Sequence, residues 1–137
     1  MPRIQLRIYL NPGQAEVILG VQRQDNTFER LAGFIDTGAE VSLLPNDLLD
    51  KVRYRPVGSG TIIIDQAGIA GQSFEAIEAF VTITLEDDSG ARTEPFEVPV
   101  WFGDTAIALI GFEGILDRAT LHIDLRDTRS GWIQLDP

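Results

Sequence analysis

Apolar residues alternate with polar ones along much of this chain, and that alternation predicts its architecture. The segments RIQLRIYL (3–10), AEVILGVQ (15–22), TIIID (61–65), FVTITLED (80–87) and FEVPVWF (96–102) carry the period-two signature of β-strands. Turn-forming residues separate them at hairpin-like intervals, at Asn11-Pro12-Gly13, Asp25-Asn26, Gly58-Ser59-Gly60, Gly68 to Gly71 and Asp87-Asp88-Ser89-Gly90. Only two stretches read as helical. One is PNDLLDKV (45–52), with Pro45 suited to a first turn; the other is EGILDRAT (113–120), where Ile115 and Leu116 face a core. The pattern therefore predicts an all-β fold of sequential hairpins with one or two short helices.

Composition narrows what such a fold can do. The 137 residues contain no linker, low-complexity tract or long repeat, so a single domain over 1–137 is expected. A chain of this size buries about two thirds of its unfolded surface around one core. Eleven Lys and Arg against 21 Asp and Glu give 11 − 21 = −10. That field repels polyanions and anionic bilayers, so neither nucleic acid nor a membrane is an expected partner. With no cysteine there is no disulfide framework and no thiolate chemistry, and the single histidine, His122, cannot build a His-rich zinc site by itself. No metal and no cofactor are expected. No apolar run reaches membrane-spanning length, and MPRIQLRIYL alternates instead of forming a signal-peptide core. A cytoplasmic chain is the expectation, although a cysteine-free composition suits the periplasm almost as well.

One segment carries the candidate chemistry. In GFIDTGAEVSLLP (33–45), Asp36 follows an apolar strand and is flanked by Phe34, Ile35, Val41, Leu43 and Leu44. Asp-Thr-Gly is a sensible turn in its own right, because Asp and Thr bond nearby amides and Gly accepts positive φ. Its setting adds a second reading, since a strand end would deliver the Asp36 carboxyl into a partly desolvated place. Desolvation raises the pKa of a carboxylic acid, and a second carboxylate beside it makes the pair share a proton. Such a dyad activates water for peptide hydrolysis without a covalent intermediate. The chemistry needs two acids, and neither Asp104 in GDTA nor Asp127 in RDTR is followed by the glycine that close packing requires. A two-fold homodimer supplies the second acid, because an isologous interface brings a residue near its own copy.

FIDTGAEVSLLP resembles the active-site segment of the retroviral-type aspartic proteases, the retropepsins and their cellular and bacterial relatives. AIALIGFEGILDRATLHID (106–124) is similar to the family's apolar-apolar-Gly element, short helix and final strand, and TIIIDQAGIAGQSFEAI (61–77) to its flap hairpin. The resemblance implies a retropepsin-like acid protease barrel and an aspartic endopeptidase acting as a homodimer on a peptide or protein substrate. It further implies Asp36 as the catalytic acid, Thr37 bonding across the dimer floor and Gly38 presenting backbone to substrate. Ala39 and Glu40 would lie beside the substrate, and Gly68, Ile69, Ala70 and Gly71 would form the flap tip. Glu40 is also read as a solvated turn carboxylate, and the flap tip as an ordinary Gly-containing loop. Two departures stand out. Phe112 follows Gly111 where retroviral members carry an arginine, and LRDTRSGWIQLDP extends past the strand TLHID, enough for a hairpin of its own. The alternative function is a non-catalytic protein-binding module that keeps the barrel.

The remaining features read as structural. His122 alternates with Leu121 and Ile123 and belongs on the outer face of a strand, and Trp101 and Trp132 belong to packing or an interface. Glu86-Asp87-Asp88 is expected to be a solvated turn, lacking the regular oxygen spacing of a calcium loop.

Overall fold

Ten strands are present among the described residues: β1 (Gln5–Asn11), β2 (Gln14–Gln22), β3 (Phe28–Ile35), β4 (Ser42–Pro45), β5 (Arg55–Asp65), β6 (Ser73–Glu86), β7 (Phe96–Gly103), β8 (Ala108–Ile110), β9 (Ala119–Asp124) and β10 (Ser130–Leu135). These come from a computed structural model that describes residues 4–11, 13–65 and 73–136. The strand order is β5-β6-β7-β4-β8-β3-β2-β1-β10-β9, and β6 also pairs with β2. That additional pairing closes β2, β3, β8, β4, β7 and β6 into a six-stranded barrel. Two extensions remain outside the ring, β5 beyond β6 and the sheet β1-β10-β9 beyond β2.

Alternation explains the interior. Val17, Leu19 and Val21 of β2, Ala79, Val81, Ile83 and Leu85 of β6, and Val98, Val100 and Phe102 of β7 are buried at every second position. Ala108 and Ile110 of β8 and Leu44 of β4 join the same core. At roughly 25 cal/mol per Å² of apolar surface, this core is the main source of stability. Leu6, Ile8, Ile133 and Leu135 bury the inner face of the terminal sheet against it.

Four expectations are corrected. Gly58-Ser59-Gly60 is not a turn: β5 runs through it, and a register shift between Pro56 and Thr61 absorbs the extra residues as a bulge. The helix over 45–52 shortens to a 3-10 turn at Asn46–Asp50, because Val52 bridges Arg23 and the Arg53 amide donates to the Gln22 carbonyl. The helix over 113–120 shortens to Leu116–Arg118, because Ala119 already pairs with Leu135 in the β9–β10 ladder. Ile115 and Leu116 are buried as expected. The C-terminal extension forms no hairpin of its own: it supplies one strand, β10, which pairs with β9 on one flank and with β1 on the other.

Glu86-Asp87-Asp88 is a solvated turn only at Asp88, which is exposed. Asp87 is only 6% exposed and accepts hydrogen bonds from the amides of Arg7, Ser89 and Ala91 and from the Ser89 hydroxyl. Asp88 accepts one from the Tyr9 hydroxyl at 2.6 Å, and Glu86 pairs with Arg30. The run fastens the β6–β7 loop to β1 and β3.

Candidate active site

Short strands position Asp36. β8 is wedged between β3, to which it runs parallel, and β4, to which it runs antiparallel. The connection from β3 to β4 must therefore cross the end of β8, and Asp36 lies at the start of that crossing. Its amide donates to the Ile110 carbonyl at 3.0 Å, extending the β3–β8 ladder past Ile35. Its carbonyl accepts from the Ala39 amide at 3.1 Å, and its carboxylate Oδ1 accepts from the Gly38 amide at 2.8 Å. The side chain is thus aimed by its own turn. Asp36 is half-buried, while Thr37 and Gly38 are exposed.

The crossing is fixed from beneath by the segment after β8. The Phe112 amide donates to the Ala39 carbonyl at 3.0 Å and the Glu113 amide to the Glu40 carbonyl at 2.9 Å. The Gly111 amide donates to the hydroxyl of buried Ser42 at 2.9 Å. A Cβ at Gly111 would stand 2.8–2.9 Å from backbone atoms of Val41 and Ala39, so only glycine lets the two segments cross. Gly38 has a different reason from the positive φ expected of it. Its φ is not among the positive values, and a Cβ there would sit 3.2 Å from Asp36 Oδ1, crowding the carboxylate.

The other candidates distribute as follows. Ala39 is half-buried in the crossing and Glu40 is exposed at its outer edge. Gly68, Ile69, Ala70 and Gly71 lie outside the described residues, although the hairpin arms leading to them pair from Thr61↔Ile77 to Asp65↔Ser73. Asp104 precedes β8, whereas Asp36 lies past its last residue, so that strand separates the two acids. Asp127 sits in the β9–β10 turn, three strands from β3 across the sheet. His122 is exposed on β9 and stacks on Trp132, with ring centroids 5.5 Å apart. Ser42 escaped the sequence reading; the signal available was a small hydroxyl residue inside the apolar run AEVSLLP. Among the described residues, no three acidic or histidine side chains converge to hold a metal ion, and no helix is long and apolar enough to cross a membrane.

No family model and no curated protein matches this sequence. Among solved structures, the chain is similar to a retropepsin-like aspartic protease from Rickettsia conorii, with a TM-score of 0.55 and 16% identity over 98% of this chain and 93% of that one. It is also similar to EIAV protease complexed with the inhibitor HBY-793, with a TM-score of 0.42 and 17% identity over 75% of this chain and 86% of that one. The first similarity spans nearly all of both chains, and it gives this protein a retropepsin-like fold.

Proposed function

We propose that the protein is an aspartic endopeptidase whose catalytic unit is a homodimer, with Asp36 and its symmetry mate as the two acids. The observation that carries this reading is the crossing itself. An aspartate is half-buried at a strand end, its Oδ1 is held by the Gly38 amide, and the loop is locked from below by Gly111 and Ser42. A turn serving only the backbone has no need of that second layer. In the dimer, one carboxylate takes a proton from the attacking water while the protonated partner hydrogen-bonds the scissile carbonyl. The water oxygen adds to the carbonyl carbon, and the amine leaves with a proton returned by the dyad. Thr37 would bond across the floor, and the β5–β6 hairpin would close over an extended peptide with apolar side chains.

The test is digestion of a peptide library at pH values from about 3 to 8, comparing wild type with Asp36→Asn. The amide is nearly isosteric but cannot exchange the proton, so cleavage should vanish while the circular dichroism spectrum is retained. Wild-type cleavage by the variant would end the Asp36 mechanism, whereas no cleavage by either protein would favour a binding module.

A further inference from the structure

Strand alternation aims Phe34 and Asp36 at the same face of the barrel, away from the core that Ile35 packs against. Cross-strand partners carry that face onward. Phe34 pairs with Leu109, Leu109 with Leu43, Leu43 with Trp101, and Trp101 with Glu78. Directly opposed residues lie on one face of a sheet, so these five side chains form a single row. Phe34, Leu109, Leu43 and Trp101 are half-buried, and none of them joins the core cluster. An apolar row thus starts beside Asp36 and ends on a carboxylate.

That carboxylate has no cation. Glu78 is half-buried and accepts one long hydrogen bond, from the Trp101 indole N–H at 3.4 Å. The ion pairs among the described residues go to Glu29, Glu86, Glu97 and Asp127 instead. The arginine on the neighbouring strand, Arg55, is turned to Glu97 and to the ring of Phe80. Space beside Glu78 is open. On β5 it faces the bulge between Pro56 and Thr61, where Gly58 has a φ of +57° and nothing within 4 Å of the place a Cβ would take.

We propose that Glu78 and Trp101 form a subsite for a basic side chain of the substrate, a lysine or arginine next to an apolar stretch; the inference rests on the reading of Asp36 given above. The carboxylate supplies a charge-assisted hydrogen bond, and an indole ring is the best aromatic surface for a cation. The net charge of −10 favours the approach of a cationic peptide over an anionic one. Reach fixes where the basic residue falls. Neighbouring strands lie about 4.8 Å apart, so the steps from Phe34 to Glu78 span at most about 19 Å, which an extended peptide covers in about six residues. The basic residue therefore lies within about six residues of the scissile bond.

Binding and cleavage are read separately. Asp36→Asn should hold a peptide without cutting it, so fluorescence anisotropy on this variant follows a labelled apolar peptide scanned with lysine, norleucine or glutamate at each position. At one position lysine should bind about tenfold more tightly than norleucine. Adding the near-isosteric Glu78→Gln should remove that difference, and Glu78→Lys should shift the preference to glutamate. In chains that keep Asp36, the ratio of kcat/KM for the lysine and norleucine peptides should move in the same way and shrink at high salt. Cleavage that depends on Asp36 but whose lysine-to-norleucine ratio is unchanged in Glu78→Gln would overturn the subsite and leave the peptidase standing. Lysine-dependent binding that follows Glu78, with no cleavage by wild type, would uphold the subsite and end the peptidase reading. No binding by Asp36→Asn and no cleavage by wild type would overturn both.

Discussion

The Gly111 amide donates to the Ser42 hydroxyl at 2.9 Å across 69 residues of sequence, joining the loop that carries Asp36 to the segment that crosses beneath it. Ser42 is 2% exposed, so water cannot replace its oxygen. Removing an acceptor from a buried donor leaves the full desolvation penalty of that donor.

Ser42→Ala should therefore destabilise the protein by about 1–3 kcal/mol, although the side chain loses a single oxygen. Gly111→Ala acts on the same crossing by overlap. Its methyl would meet the Val41 and Ala39 backbone at 2.8–2.9 Å, where no side chain can swing aside. Overpacking of this kind costs about 1–3 kcal/mol and moves the Asp36 loop. Thermal unfolding should show a lower Tm for both variants. Peptidase activity at a temperature where both are folded should fall further for Gly111→Ala. An unchanged Tm for both would mean that the crossing is not a structural lock.

Much of this arrangement can be read in the sequence, and what escapes it has identifiable causes. β2, β6 and β7 are legible because each alternates over seven or more residues against one core. β4 and β8, with four and three residues, are too short for a period to show, yet they place the site. Both helical segments satisfy local rules and are overridden by pairing: Val52 is drawn to Arg23 and Ala119 to Leu135. The motif identifies Asp36, Gly38 and Gly111. The role of Ser42 depends on a partner far away in sequence, and so does that of Asp87, whose bond to the Arg7 amide spans 80 residues.

Asp87 links stability to pH. Burial favours its protonated form, but the Ser89 hydroxyl and the amides of Arg7, Ser89 and Ala91 outweigh burial and hold its carboxyl below the usual range. A lowered folded-state value means that the unfolded chain binds the proton more readily. The stabilisation is therefore fully present above the unfolded value of about 3.9 and is lost as pH falls through the folded one. Asp87→Asn should lower the Tm at neutral pH, and the gap to wild type should narrow as the pH drops below about 3.9. A gap that stays constant from neutral pH into acid would show that the charge is immaterial.

Subunit mixing tests the dyad without reference to any interface. If each active unit needs Asp36 from two chains, Asp36→Asn chains should act on wild type through exchange. At a ninefold excess of the variant, random pairing leaves roughly a tenth of wild-type chains facing another wild-type chain. Activity per wild-type chain should fall in that proportion, provided substrate is saturating so that variant dimers cannot deplete it. Exchange is verified separately by differently labelled chains. Dilution gives the matching result: specific activity should decline once concentration drops below the dimer dissociation constant and recover on concentration. Full activity in the presence of the excess variant, with exchange demonstrated, would show that one chain suffices. The second acid would then have to come from the same polypeptide, and Asp104→Asn would be the next variant to assay.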